Sequence, residues 1–161
     1  MNWQRHLRIV DSAINPVPPP AGVKIAFATA DRKQVDQHFG AARALVIYAV
    51  TPTQATLVAI AQFGVTPEDG HEDKLAARLA ALEDCAAVYC QAVGGSAIRQ
   101  LRARGVQPLR VDGVVPIDQL LQELQAEWRS TPAGWLTKAL RRQEEDDHHR
   151  FAVMEAEGWR E

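Results

Sequence analysis

The 161-residue chain is 47 % hydrophobic and 24 % charged, a globular composition that argues against a disordered chain. Eighteen Lys and Arg against 20 Asp and Glu leave a net charge of −2, too little basic excess to grip a nucleic-acid backbone. No apolar run reaches the roughly 18 residues of a membrane span, and two cysteines exclude a disulfide scaffold, so one main domain in the cytoplasm is expected, with no membrane or nucleic-acid partner.

Residues 1–22 read as a leader. Arg5, His6, Arg8 and Asp11 break up any secretory apolar run, and Pro16-Val17-Pro18-Pro19-Pro20 makes an extended, stiff linker. Val23-Lys24-Ile25-Ala26-Phe27-Ala28-Thr29 then predicts a buried strand, followed by a polar loop over 30–38. A second strand over 44–50 and a third over 55–63, joined by the turn Thr51-Pro52-Thr53-Gln54, predict an antiparallel hairpin. After a loop at 64–70, Leu75, Leu79 and Leu82 at helical spacing predict a helix over about 72–84. Residues 86–91 form a short buried strand. Gly94-Gly95-Ser96 opens a helix carried by Ile98 and Leu101 that Gly105 is placed to end, and 106–111 is a fifth strand.

Pro116 suits the first turn of a helix whose stripe is Ile117, Leu120, Leu121, Leu124 and Trp128. Thr131-Pro132 punctuates before a last, mostly charged helix over about 133–156. Its middle, residues 141–150, is too polar to bury a continuous face, so the segment from Thr131 is expected to pack loosely and serve a partner protein, or to dock only through Trp135 and Leu136. The chain thus divides into a leader (1–22), an α/β domain (23–130) and a charged helical tail (131–161). The order β-β-β-α-β-α-β-α demands a mixed five-stranded sheet, a hairpin first and parallel crossovers after it.

Chemistry concentrates in few places. The loop after the first strand holds Asp36-Gln37-His38-Phe39-Gly40, and α/β sheets place ligands at the carboxyl ends of their strands. His38 can bind a metal through a neutral ring nitrogen with Asp36 orienting the ring; alternatively it caps the loop by bonding a backbone carbonyl. Arg32, Lys33 and Arg43 flank it, as anion donors or as solvated charge. Cys85 and Cys90 bracket the fourth strand. Five residues apart, they point to opposite faces by strict alternation, which disfavours a joint clamp; Cys85 is the one expected nearer solvent. Gly94 and Gly95 bare the amides of a helix N-terminus, which favours anions, although a plain tight turn has the same sequence. His148 and His149 diverge by about 100° on a helix, with Glu144 and Glu145 as i,i+4 partners, and read as a solvated face. Trp3, Trp128, Trp135 and Trp159 read as packing anchors, with those in the flanks also suited to a partner surface. The element order resembles that of ribonuclease H-type nucleases, but Lys24 to Thr29 contains no acid to hold two divalent ions, which argues against that catalysis.

These residues together resemble a known family. Val23 to Thr29, Val35-Asp36-Gln37-His38-Phe39-Gly40, Leu45-Val46-Ile47-Tyr48 and Leu82-Glu83-Asp84-Cys85 are similar to the dinitrogenase iron–molybdenum cofactor biosynthesis family, its NifX-type branch in particular. The resemblance covers about residues 23–130. It implies a ribonuclease H-like three-layer α/β domain with a C-terminal helical extension, and a non-enzymatic role. That role is to carry an iron–sulfur precursor of the iron–molybdenum cofactor, of the NifB-co type, from NifB toward NifEN. The family's cluster-contacting histidine maps onto His38. Asp36, Phe39, Gly40, Arg43, Cys85, Gly94 and Gly95 are the further candidates for holding the cluster. Two relatives fit less well: the NifB enzyme needs a three-cysteine radical motif, and a NafY-type chaperone needs an N-terminal domain larger than 22 residues. The alternative to a carrier is an interaction module that chaperones an apo-nitrogenase component without holding a cluster.

Overall fold

A computed structural model describes residues 22–64 and 71–158; the leader with Trp3, most of the loop at 64–70, and Trp159 lie outside the described residues. The predicted elements appear in the predicted order. They are β1 (Val23–Thr29), β3 (Ala44–Val50), β4 (Ala55–Gln62), α1 (His71–Ala81), β5 (Cys85–Cys90), α2 (Gly95–Ala103), β6 (Gln107–Arg110), α3 (Ile117–Ser130) and α4 (Gly134–Gly158). Two strands were not predicted: β2 (Gln34–Val35) and β7 (Val115–Pro116), which pair antiparallel with each other. At two residues each, neither offers the alternation by which a strand is read from sequence. Their pairing matters because it makes the loop after β1 a built structure.

The main sheet is mixed and five-stranded, ordered β4-β3-β1-β5-β6, with β3 antiparallel to β1 and β4 while β5 and β6 run parallel to β1. Apolar side chains on both faces of β1 are buried, as a central strand covered on two sides requires. On one face α1, the turn after it and α2 pack through Leu75, Leu79, Leu82, Ala97 and Leu101. On the other, α3 and the start of α4 pack through Ile117, Leu120, Leu121, Leu124 and Leu136. There Phe27 stacks on Tyr89 at 5.2 Å and meets Tyr48 edge-on at 5.7 Å, joining three adjacent strands.

Two local details depart from or refine the sequence reading. Lys24 pairs with Cys85 but Ile25 pairs with Ala87, so Ala86 is an extra residue in β5. This bulge resets the alternation, and Cys85 and Cys90 lie in the same core layer rather than on opposite faces. Gly105 ends α2 as expected: at φ 76° its N–H donates to the Arg102 carbonyl and the Val106 N–H to that of Leu101, with Leu101 and Val106 both buried.

The opening of α4 belongs to the fold. Leu136 and Ala139 are buried, the Arg142 guanidinium donates to the Gly105 carbonyl at 3.1 Å, and the Gln143 amide donates to the Gly22 carbonyl at 2.9 Å. Residues 144–156 are all exposed. The loose packing expected from Thr131 onward therefore holds only beyond Gln143, because the charged block starts where the sheet ends.

Candidate functional site

Since β1, β5 and β6 are parallel, Thr29, Cys90 and Arg110 end at one edge of the sheet, and the loops that follow them meet there. Thr29 is fully buried; its hydroxyl donates to Asp31 Oδ1 at 3.2 Å and accepts the Arg32 N–H at 2.9 Å. Asp31 Oδ1 also accepts the N–H groups of Lys33 and Gln34, and these backbone donors, that of Lys33 first, hold its carboxyl below its ordinary range. The turn so formed puts Arg32 at φ 67°, a left-handed conformation that a side chain adopts at a cost of roughly 1–2 kcal/mol. Beyond it, the Ile117 N–H donates to the Lys33 carbonyl, and Val35 is buried completely.

The next residues are stitched to the end of β5. The Gln91 N–H donates to the Gln37 carbonyl at 2.9 Å and the Phe39 N–H to the Ala92 carbonyl at 2.8 Å. The Gln91 side chain reaches across to the Gly113 carbonyl at 2.7 Å, which ties in the loop after β6. Phe39 opens a single 3₁₀ turn, Phe39–Ala41, and its ring is fully buried against the α1 side of the core. Beneath this turn Arg78 of α1 is buried. Its guanidinium donates twice to the Ala42 carbonyl and once to that of Lys74, and lies 4.5 Å over the Phe63 ring.

Between these anchors His38 is exposed. It occupies the cap position of the 3₁₀ turn in extended backbone, with no hydrogen bond from its side chain to the cap. The capping alternative is thereby set aside. Asp36 does not orient the ring: its Oδ1 accepts the Ala30 N–H at 3.0 Å and closes the loop on itself. Gly40 lies within the turn and Phe39 is buried in the core, so of the motif His38 is the one exposed side chain, with Asp36 half-buried two residues before it. Gly94, two residues past Ala92, is the N-cap of α2, and Gly95 is its first residue; both are exposed. A Cβ on Gly94 would meet nothing within 4 Å, and one on Gly95 only an Arg99 nitrogen at 3.8 Å. The amides of this first turn stand beside an open approach. Arg43 is exposed and immediately precedes Ala44, the partner of Thr29, which places it on the same edge as His38.

Cys85 is not part of this cluster. It begins β5 at the opposite edge, roughly 17 Å of strand away from the end where His38 sits, and it is buried, contrary to the expected exposure. Burial pushes its thiol up to about 12 and that of Cys90 up to about 11. Neither thiolate is therefore available near neutral pH. Iodoacetamide at pH 8 should leave both cysteines of the folded chain unmodified and label both in urea, as read by intact mass. Both thiols stay protonated in the fold while an unfolded thiol ionises near its ordinary value of 9.0. Their contribution to stability is complete below pH 9 and falls as pH rises toward 11–12.

Sequence reasoning missed Arg78, whose side chain braces the His38 turn, and Gln91, whose backbone N–H holds the Gln37 carbonyl while its side chain ties in the loop after β6. A polar residue directly after a buried strand was the signal for Gln91. Arg78 carried none, because it looks like any exposed helix residue until its carbonyl partners are known. Among the described residues, no group of three or more His, Cys, Asp or Glu side chains gathers to hold a bare metal ion. No described helix is long and apolar enough to cross a membrane.

Residues 22–127 match the sequence family described as dinitrogenase iron-molybdenum cofactor. The protein NifX of Azotobacter vinelandii is 48 % identical over 139 residues, covering 86 % of this chain and 88 % of that protein. The protein NifX of Klebsiella pneumoniae is 45 % identical over 107 residues, 66 % of this chain and 67 % of that one. Among solved structures, the crystal structure of PH0822 is similar in fold, with a TM-score of 0.51 at 20 % identity over 65 % of this chain and 89 % of that one.

Proposed function

The chain belongs to the dinitrogenase iron–molybdenum cofactor family, and we propose that it is a cytoplasmic, non-enzymatic carrier of an iron–sulfur precursor of that cofactor, of the NifB-co type. The observation that carries the reading is His38: an exposed imidazole without a capping bond, on a turn pinned by the buried Phe39 ring, by backbone bonds to the end of β5 and by Arg78 on the Ala42 carbonyl. Such a ring is preorganised for an external ligand at no cost of breaking an internal bond. In this role the imidazole takes one iron of the cargo. The bare first-turn amides of α2 and the guanidinium of Arg43 face the cluster's anionic sulfides as donors, with Arg32 and Lys33 contributing charge nearby. Asp36, Phe39 and Gly40 shape the turn without touching the cargo.

One imidazole with weak donors suits transfer better than a cage of thiolates, because a carrier must release what it binds. The donor and acceptor in this reading are NifB and NifEN. The sheet order, with an antiparallel second strand, supports the ribonuclease H-like label for the domain. The competing role is a chaperone that binds an apo-nitrogenase component and no cluster. Anaerobic mixing with the isolated precursor, followed by gel filtration and iron analysis, separates the two. The carrier reading expects iron and sulfide to elute with the chain. An iron-free chain that still associates with an assembly protein would favour the chaperone.

A further inference from the structure

The edge of the sheet opposite His38 presents a second feature. There α4 leaves the domain, and residues 144–156 extend past it with Phe151 69 % and Met154 68 % exposed. These two are not scattered apolar residues. Met154 lies eighteen residues, or five full turns, after Leu136, and Phe151 lies about three turns after Leu140. They therefore continue the line along which α4 docks on the sheet, beyond the point where the sheet ends. Gln143 belongs to the same line, three turns before Met154, and its amide holds the Gly22 carbonyl at 2.9 Å. Gly22 is also fixed from below: at φ 130° a Cβ there would meet the Val50 carbonyl oxygen at 2.5 Å. The chain preceding Gly22 thus starts from the line that runs to Phe151 and Met154.

That preceding chain has the complementary chemistry. Trp3, Leu7 and Val10 recur at intervals of four and three, the spacing of one helical face, and Arg5 and Arg8 make the segment basic. The projecting part of α4 carries Glu144, Glu145, Asp146 and Asp147 ahead of its apolar pair, and only Asp147 has an ion pair among the described residues, with Arg150 at 2.8 Å. The reach also fits. From Gln143 to Met154 is about 17 Å of helix, and residues 16–21, rich in proline, span about 19 Å if extended.

We infer that the exposed face of α4 around Phe151 and Met154 is the docking site of residues 3–10 of the same chain, so that leader and tail clasp each other beyond the sheet. Trp3 and Leu7 cover Phe151 and Met154, and the basic charge of the segment is drawn to the acid-rich stretch at 144–147. The clasp leaves the His38 edge free, and it holds whether or not that edge carries a cluster.

Hydrogen exchange read by mass spectrometry on the full chain tests this, with Phe151→Glu/Met154→Glu and Trp3→Glu/Leu7→Glu as reciprocal variants. The first pair replaces exposed residues, and peptides from β1 and β3 report that the core is intact in both. The clasp predicts that amides of 3–10 exchange at least tenfold faster in the first variant, and those of 144–156 at least tenfold faster in the second. Equal exchange of these segments in wild type and variants overturns it. Protection that disappears on dilution also overturns it, since that would mean a second copy covers the face.

Discussion

Replacing Phe39 by alanine should lower the stability of the domain by about 3–5 kcal/mol, the usual cost of emptying a fully buried phenylalanine site. The ring has no exposed surface and packs in the layer that contains Leu45, Leu75 and Leu79. Its neighbour His38 has no side-chain anchor of its own, so the imidazole is positioned through this ring and through the Phe39 N–H on the Ala92 carbonyl. The loss should therefore appear twice, as a lower denaturant midpoint and as weaker cluster retention in the fraction that stays folded. Phe39→Leu, which keeps most of the volume, should recover much of both. If Phe39→Ala unfolds with an unchanged midpoint, the turn is not held by the core and the account of its rigidity is wrong.

Ending the chain after Ser130 should cost nearly as much. That truncation strips Leu136 and Ala139 from the α3 side of the core, with the partly buried Trp135 and Leu140, and removes the Arg142 and Gln143 bonds to Gly105 and Gly22. Burying one leucine contributes about 1.5–3 kcal/mol, so the set amounts to a large share of the 5–15 kcal/mol that stabilises a typical domain. The shortened chain should melt far below the full one or fail to fold. Ending instead after Gln143 keeps every one of these contacts, and the core should then melt close to wild type by circular dichroism. Equal loss from both truncations would show that the exposed half of α4 supports the core.

The sequence was most legible where one physical signal dominated. Apolar runs bounded by polar turns placed all five main strands, and the Leu stripes placed α1 and α3, because burial on both faces of a sheet leaves little other choice. Gly105 was readable as a helix end because its left-handed conformation is one that few residues adopt without strain. The misreadings share a different cause. The facing of Cys85 depended on a one-residue bulge at Ala86, which no pattern announces. The role of Asp36 depended on which of two nearby donors it meets, and the Ala30 amide takes it rather than the imidazole. The start of α4 was hard to assign because a helix half docked and half projecting averages to a weak amphipathic pattern. His38 was found from its place after the first strand and from the family resemblance; its lack of a capping bond was visible only in three dimensions.

The claim that His38 holds the cargo is tested by loading wild type and His38→Ala anaerobically with the precursor cluster and following iron per chain through successive gel-filtration passes. His38 is exposed and anchors nothing through its side chain, so the variant should melt as wild type does. Loss of one ligand should weaken retention by about 10–100-fold. Wild type should keep its iron through passes that strip the variant. Equal iron retention by the two folded proteins would contradict the assignment.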